Sequence, residues 1–340
     1  NTPPKDCPMR ISRRQALSAL AIPAATALSG LISPTLAQAP AYPTKPVTIV
    51  VAYPAGGDTD VLARVIGEKL TTRLGQSVVV ENRTGAGGTI GTAYVAKAPP
   101  DGHTLLLAPN TVAISPHVLK PGAGAQYDAV NDLTPIIHLG NQALYVVATT
   151  ASGVSNIKEL VSSVKAGKIT SYASPGNGSP MHILGELFDK AAGVKIAQVP
   201  YRGSVPAVAD MVGGHVPMMY STLGPVEPFI KNGKLVPLAV ASPQRSPFMP
   251  QVQTLAEQGI QGADVGAWQA LMGPKGMPPE LVKTLNGHVN EILKMPDVVA
   301  RLQTMAVTPV GGDAAAMGKL VASDFARYGK VIKEFGIQAD

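Results

Sequence analysis

The residue types best suited to chemistry lie in five short loops rich in glycine, hydroxyl side chains or both. Two of these loops, "PAGGDTD" at 54–60 and "TGAGGTIG" at 84–91, each follow an apolar run and precede a predicted helix. Glycine lets a ligand approach the backbone closely, and the free N–H groups at a helix start favour an anion. "ASPGNGSPMH" at 173–182 repeats this arrangement, and "APNT" and "VPYRGS" are the other two loops. The pattern predicts an anion-binding site.

The glycine-rich turns do not fit the common nucleotide-binding signatures. In the turn at 84–91, the last glycine of a dinucleotide-binding fingerprint counted from Gly85 would fall on Ile90. No acidic residue follows at the distance needed to hold a ribose, and the sequence contains no G-K-[ST] of a P-loop. The six histidines include no pair three or four residues apart that would suit zinc. We therefore expect neither a cofactor nor a metal.

Ser179 and His182 have the residue types of a nucleophile and its base, and Tyr201 is a second candidate nucleophile. The serine does not lie in a G-x-S-x-G elbow, and one helical turn alone places the histidine beside it. An exported hydrolase or transferase is therefore the weaker alternative to a protein that only binds its ligand. Arg202 is a candidate fork for a carboxylate, or one half of an ion pair.

The composition is that of a folded protein with a weak attraction for anions. Hydrophobic residues make up 45% and charged residues 15% of the 340 residues, which favours a substantial core over disorder. Aromatic residues are only 4%, and no basic run exceeds a pair, which argues against a nucleic-acid surface. Outside residues 1–39, 24 basic and 21 acidic residues leave a net charge of +3.

Residues 1–39 are typical of an export signal. Arg13 and Arg14 precede the apolar stretch "ALSALAIPAATALSGLI", and "TLAQA" offers small residues where a signal peptidase cleaves. We expect cleavage near Ala39 and a mature protein in the periplasm. The paired arginines suit the twin-arginine route, and an ordinary Sec signal is the alternative. Cys7 is the only cysteine and precedes the apolar stretch, so no disulfide is expected.

The elements that must position these loops alternate between strand and helix. Apolar runs such as Val47–Tyr53 predict buried parallel strands, and Asp60–Leu74 has helical apolar spacing. "TPIIHLG" and "ALYVVAT" predict two further strands, and three helices are expected at the C-terminus. The pattern predicts two α/β units around a cleft, joined near residues 140 and 266. Ligands of open sheets bind beyond the carboxyl ends of strands, where the glycine-rich turns fall.

Five longer motifs occur in order along the mature chain: "KPVTIVVAYPAGGDTDVLAR", "VVVENRTGAGGTIGTAYVAKAPPDGHTLLLA", "YASPGNGSPMH", "VPYRGSVPAVADMVGG" and "GKLVPLAVASPQRS". Together they resemble the Bug proteins, the extracytoplasmic solute receptors of tripartite tricarboxylate transporters. The resemblance implies a two-domain periplasmic binding protein fold, a type II-like Venus flytrap in which each lobe is a mixed sheet flanked by helices. Domain 1 would comprise 41–140 plus 266–340, and domain 2 would comprise 141–265.

The resemblance also implies where a ligand lies. In the family a carboxylate is gripped between the first two loops, partly through two ordered waters, so the two turns would be halves of one clamp. On this chain the clamp would be formed by Ala55, Gly56, Gly57, Asp60, Gly85, Ala86 and Gly87. The residues that would follow around the cleft are Thr111, Ser174, Asn177, Ser179, Tyr201 and Arg202.

One position departs from the family pattern. After "GGHVPMM" the family usually has an aromatic residue followed by Asp, whereas this chain has Tyr220 and Ser221. Ser221, as a predicted ligand contact, would leave the far end of the pocket without a negative charge, and Tyr220, Tyr201 and Trp268 could add flat apolar surface. The departure therefore favours a plain, aromatic or dicarboxylic acid over an amino acid.

The resemblance implies a receptor rather than an enzyme. We expect it to capture a small carboxylate and deliver it to the membrane subunits of a tripartite tricarboxylate transporter. The alternative is an orphan receptor that reports to a two-component sensor kinase. We further expect a monomer that contacts no nucleic acid.

Overall fold

The first part of the chain alternates between strands and helices, and its first strand is an apolar run interrupted only by Thr48. The computed structural model describes residues 42–120 and 122–337, so the predicted export signal lies outside the described residues. Four of the five residues of the first strand are buried, as expected for a strand covered on both faces. The elements are β1 (Val47–Val51), α1 (Asp58–Leu74), β2 (Val78–Asn82), α2 (Thr89–Ala96), β3 (Thr104–Pro109) and α3 (Thr111–Val118).

The alternation resumes after one long strand. The middle elements are β4 (Leu133–Thr149), α4 (Ile157–Lys165), β5 (Ser171–Ser174), α5 (Pro180–Ala192), β6 (Ala197–Pro200), α6 (Ser204–Val212), β7 (Met218–Thr222), α7 (Leu223–Lys231) and β8 (Leu235–Val240). The last elements are β9 (Gly266–Pro274), α8 (Pro279–Ile292), α9 (Pro296–Thr304), β10 (Thr308–Gly311) and α10 (Ala314–Phe335).

The strands form two groups that share β4. In the first group β1 pairs in parallel with β2 and β3, and β9 runs antiparallel to β3 and β4. In the second group β5 pairs in parallel with β6 and β7, while β7 and β8 run antiparallel to β4. Residues 133–143 of β4 pair with β9 and residues 144–149 pair with β7 and β8. The strand therefore passes from one group to the other near residue 143.

β4 is a single strand of 17 residues, so the prediction of two separate strands was wrong. Gly140 does not end the strand but lets β10 lie against it. A Cβ atom at this position would lie 2.5 Å from Val307 Cγ1 and 2.7 Å from the carbonyl oxygen of Thr308. β10 was not predicted, and neither was α3, which begins inside the loop "APNT".

Apolar clusters cover both groups of strands. The described residues all belong to one compact unit. One cluster packs α1 and α8 on the first group through residues such as Ile66 and Leu285. Another packs α5 on the second group, with Phe188 against the Tyr220 ring. The C-terminal helix α10 contributes Tyr328 to the cluster of the second group, which ties the end of the chain to strands from its middle.

Candidate functional site

The carboxyl ends of the parallel strands in both groups point into one cavity. The main cavity is bounded by loop residues 53, 54, 57–59, 87, 109, 111, 175–177, 179–181 and 202–206, and by Gln142, Thr222, Ala267 and Gln269. The space open to the centre of a water-sized sphere is about 100 Å³. One water needs only ~10–15 Å³ on that measure, so the cavity can hold a small organic molecule. Prolines form much of its wall: Pro54, Pro109, Pro175, Pro180 and Pro206.

The first turn presents the start of α1 to the main cavity. Gly57 is the N-cap residue, and no side chain caps the helix. The first N–H groups of a helix lack partners within it, so this end can accept an anion. The N–H of Gly56 is not free to bind a ligand, because it donates to Asp60 Oδ2 over 2.9 Å. The Gly57 end of the turn is therefore the part that can bind a ligand.

Asp60 holds the first turn in place and does not line the main cavity. Its carboxylate accepts two hydrogen bonds from Arg64 and one from Asn82 Nδ2, besides the bond from Gly56. Asn82 Nδ2 also donates to the carbonyl oxygen of Tyr53. Burial opposes ionisation of Asp60, but these donors outweigh it and hold its pKa below the usual range. The residue is a support for the site.

The second turn has an unusual backbone. Gly85, Ala86, Gly87 and Gly88 all have positive φ, at 132°, 44°, 60° and 94°. Such values are uncommon for alanine and cost energy, and they cluster at functional sites. A Cβ atom at Gly87 would lie 3.0 Å from the carbonyl oxygen of Asn177, so this turn packs tightly against the loop after β5. Gly87 lines the main cavity.

Tyr53 and Thr111 join the first three loops. Tyr53 Oη lies 2.6 Å from Thr111 Oγ1 and 3.2 Å from the carbonyl oxygen of Gly87. Burial raises the pKa of Tyr53 to about 12, and the hydrogen bond to Thr111 opposes the rise. The phenol is therefore neutral at pH 7. Both residues line the main cavity, and Tyr53 was not predicted.

Asp58 places a carboxylate in the cavity wall. Its Oδ2 accepts a hydrogen bond of 2.6 Å from Thr222 Oγ1 and one of 3.0 Å from Gln142 Nε2. Burial raises the pKa of Asp58, and these two hydrogen bonds oppose the rise. Gln142 is linked to Gln269 of β9, whose Oε1 accepts a hydrogen bond from Thr59 Oγ1. The acid therefore connects the first turn with β4, β7 and β9.

Ser179 lines the main cavity but is not paired with a catalytic base. Its Oγ accepts a hydrogen bond from the backbone N–H of His182 and caps α5. The ring Nδ1 of His182 accepts from the backbone N–H of Gly178, and burial lowers the pKa of this histidine. The histidine is thus engaged with the backbone, and the serine acts as a helix cap.

Tyr201 and Arg202 border a second space, the outer groove, which is bounded by 52–54, 84–88, Leu119, 175–177 and 200–203. Tyr201 Oη donates to Asp210 Oδ2 over 2.6 Å, and burial together with this acid raises its pKa to about 12. Arg202 is exposed and borders both the outer groove and the main cavity. A cation therefore stands where the two spaces meet.

The structure brings most of the predicted site residues together. Those that line the main cavity are Gly57, Gly87, Thr111, Asn177, Ser179 and Arg202. Those that border only the outer groove are Gly85, Ala86 and Tyr201. Gly56 borders a third groove beside α6 and α7. Those that border none of these spaces are Ala55, Asp60, Ser174 and Ser221.

Ser221 lies fully buried, and its Oγ has no hydrogen-bond partner in the described part of the chain. The next residue, Thr222, lines the main cavity instead. Tyr220 is buried between Tyr172 and Phe188, and Trp268 donates to Asp324 outside the cavity. The predicted preference for a carboxylate without an amino group assumed that Ser221 leaves the far end of the pocket uncharged. The cavity instead contains the acidic side chain of Asp58 and not Ser221.

Several lining residues were missed because no local motif marks them. Gln142 and Gln269 lie within β4 and β9, and each is 4% exposed. A buried glutamine in an otherwise apolar strand is the one signal that could have drawn attention to them. Asp58 has a residue type that commonly caps a helix, although Gly57 occupies the N-cap position here without side-chain help.

Two broader properties concern only the described residues. No group of three or more His, Cys, Asp or Glu side chains there could hold a metal ion. None of the helices in 42–120 and 122–337 combines the length and apolar character needed to cross a membrane.

Comparison with known proteins agrees with this architecture. BugT of Bordetella pertussis is 37% identical over 316 residues, covering 91% of this chain and 94% of BugT. The solved structure of the periplasmic binding protein BugD has a TM-score of 0.81 at 32% identity, covering 88% of this chain and all of BugD. These similarities confirm the predicted mixed α/β fold of a periplasmic binding protein.

Two further solved structures contain ligands. An R. palustris protein with adipate has a TM-score of 0.82 at 33% identity and covers 88% of this chain and 100% of its own. MatC from Rhodopseudomonas palustris with bound malate has a TM-score of 0.78 at 30% identity and covers 86% of this chain and 100% of MatC. The family model described as tripartite tricarboxylate transporter family receptor matches residues 62–337. The chain therefore belongs to the tripartite tricarboxylate transporter receptor family, as its sequence motifs predicted.

Proposed function

We propose that this protein captures a small carboxylate in the main cavity and delivers it to the membrane subunits of a tripartite tricarboxylate transporter. The observation that carries the proposal is the uncapped start of α1 facing the second glycine-rich turn across one cavity. Adipate and malate in two structural relatives support a carboxylate as the ligand class. The family and the signal-like residues 1–39 support a periplasmic location.

We further propose that the two groups of strands are two lobes, 41–140 plus 266–340 and 141–265, and that the cavity lies between them. The crossing of β4 near residue 143 supports this division. Loops of the two groups meet across the cavity: a Cβ atom at Gly203 would lie 3.4 Å from Pro54 Cδ, and one at Gly178 would lie 3.1 Å from Ser115 Oγ. A ligand held here would contact both lobes.

The proposed receptor performs no reaction on its ligand. Ser179 caps α5 and His182 is held by the backbone, so neither is arranged for nucleophilic attack. Tyr201 donates to Asp210, which keeps the phenol protonated at neutral pH.

Titration calorimetry with a panel of mono- and dicarboxylates tests the proposal. We expect saturable binding of at least one carboxylate to the purified mature chain, with one site per molecule. Chromatography of the same mixture after prolonged incubation should return the ligand unchanged. Absence of binding across the panel, or conversion of a bound ligand to product, would contradict the proposed function.

A further inference from the structure

The main cavity contains one acid and one base. Asp58 and Arg202 are the only charged side chains among its described lining residues. Neither forms an ion pair within the described part of the chain. An acid that lines a cavity without a cation is costly unless something compensates it. The two hydrogen bonds to Asp58 Oδ2 from Thr222 and Gln142 compensate only part of that cost.

The position of Asp58 places its charge beside the proposed carboxylate site. It is the first residue of α1 and directly follows Gly57, whose end of the turn faces the cavity. Both of its hydrogen-bond donors, Thr222 and Gln142, also line the main cavity, so Oδ2 lies on that side. Asp58 also borders the groove beside α6 and α7, near Gly224. A ligand carboxylate at the helix start would therefore lie close to the carboxyl group of Asp58, whose pKa burial already raises, whereas an ammonium group there would favour its ionised form.

We propose that Asp58 is a specificity-determining residue that selects ligands carrying an ammonium group next to their carboxylate, and therefore that the ligand class is amino acids. The inference rests on the proposed function, because it assigns the ligand class of the same cavity. Arg202 and the helix start would receive the carboxylate, and Asp58 would receive the ammonium group. A zwitterion matches a cavity with one charge of each sign, whereas a plain acid leaves Asp58 uncompensated.

A panel of nine ligands separates charge from size. It contains three skeletons, each with hydrogen, hydroxyl or ammonium at carbon 2: propionate, lactate and alanine; succinate, malate and aspartate; phenylpropionate, phenyllactate and phenylalanine. We expect the ammonium member of at least one skeleton to bind more than tenfold tighter than the unsubstituted member. The hydroxyl member should resemble the unsubstituted one, because it supplies a donor without a charge.

Asp58→Asn tests the assignment directly. The amide keeps an oxygen that can accept from Thr222 and Gln142, so the fold should survive, and thermal unfolding checks this. We expect the preference for the ammonium member to fall below threefold, with tighter binding of the plain acid. Asp264→Asn is the matched control, because it removes one negative charge from an exposed side chain that lines none of the described spaces. Its selectivity should equal that of the unmodified protein.

The outcomes distinguish this inference from the proposed function. If the unmodified protein binds carboxylates but prefers the unsubstituted members, the inference is overturned while the proposed function stands. The same holds if Asp58→Asn leaves the ratio of affinities unchanged. If no member of the panel or of the wider carboxylate set binds, both fail together. The preference of the unmodified protein is decisive even if the variant does not fold.

Discussion

Gly57 is a glycine that the backbone geometry does not require. Its φ of −78° is open to any residue, and a Cβ atom would meet only the carbonyl oxygen of Pro54 at 3.7 Å. Gly87, in contrast, has a φ of 60° and close neighbours, so a substitution there would disturb the turn itself. Gly57 is therefore the cleaner position at which to block the proposed carboxylate site.

Gly57→Val should weaken every ligand by at least tenfold, about 1.4 kcal/mol, because its methyl groups would occupy a lining position at the start of α1. Calorimetry measures the affinity, and thermal unfolding shows whether the fold is kept. Gly287→Val is the control, since that glycine lies in α8, a Cβ atom there would have nothing within 4 Å, and the residue lines none of the described spaces. An unchanged affinity in Gly57→Val would place the carboxylate elsewhere.

Asp189 should make stability depend on pH. It is 4% exposed, its Oδ2 accepts from the backbone N–H of Ile196 over 2.7 Å, and its Oδ1 has no partner in the described residues. Burial raises its pKa to about 6, although the Ile196 bond and Lys195 oppose the rise. The folded protein therefore holds a proton that the unfolded chain releases near pH 4. Protonation of Asp189 in the folded protein therefore stabilises the fold at low pH. This stabilisation is lost as the pH rises to about 6.

Asp189→Asn should remove this contribution to the pH dependence. Between pH 4 and pH 6.5 the unmodified protein should lose unfolding free energy that the variant keeps. The variant should therefore gain stability relative to the unmodified protein as the pH rises. The shift should be on the order of 1–3 kcal/mol. Denaturant unfolding at several pH values measures it, and Glu334→Gln, at an exposed position, is the control. A difference that stays constant across this range would show that Asp189 has an ordinary pKa.

At the scale of elements, Gly140 decides whether β10 can pair with β4. We expect Gly140→Ala to lower the unfolding free energy by about 1–3 kcal/mol, because the new Cβ would press on Val307 and on the backbone of Thr308. Gly318→Ala in α10 is the control, since its Cβ would make only an ordinary contact of 3.6 Å with Pro135. That helical substitution should be neutral or slightly stabilising. Equal effects of the two substitutions in denaturant unfolding would show that β10 accommodates the extra atom.

Strands and helices with strong apolar patterns could be predicted from the sequence, and those that depend on distant partners could not. β1 and α1 carry their own signals, and the glycine-rich turns mark the strand ends. β10 is four residues long, contains Pro309, and exists because β4 offers it an edge. Its sequence has no strand signal of its own.

The site residues that lie in turns could be predicted from the sequence, whereas those that lie within strands could not. All five residues of β7 are buried, so the sequence shows no alternation that tells which side chains face the cavity. Ser221 was predicted from the family resemblance rather than from a local pattern, whereas Thr222 is the β7 residue that lines the main cavity. Gln142 and Gln269 became part of the site only because β4 and β9 pair beneath it.

At the scale of the whole molecule, ligand binding should change the shape if the two groups of strands are lobes. A ligand that contacts both would stabilise the closed arrangement. Small-angle X-ray scattering should show a smaller radius of gyration at saturating ligand than without it. A Gly57→Val sample at the same ligand concentration should keep the larger radius. An identical radius with and without ligand in the unmodified protein would indicate a rigid pocket.

The four hydrogen bonds to Asp60 have a consequence for how binding is driven. Because Arg64, Asn82 and Gly56 all donate to this carboxylate, the first turn is fixed by interactions inside the protein. Ordering a free backbone costs roughly 1–2 kcal/mol per residue, and a turn fixed in advance avoids that entropy loss when a ligand arrives. The binding enthalpy should therefore be offset by only a small loss of conformational entropy in this loop.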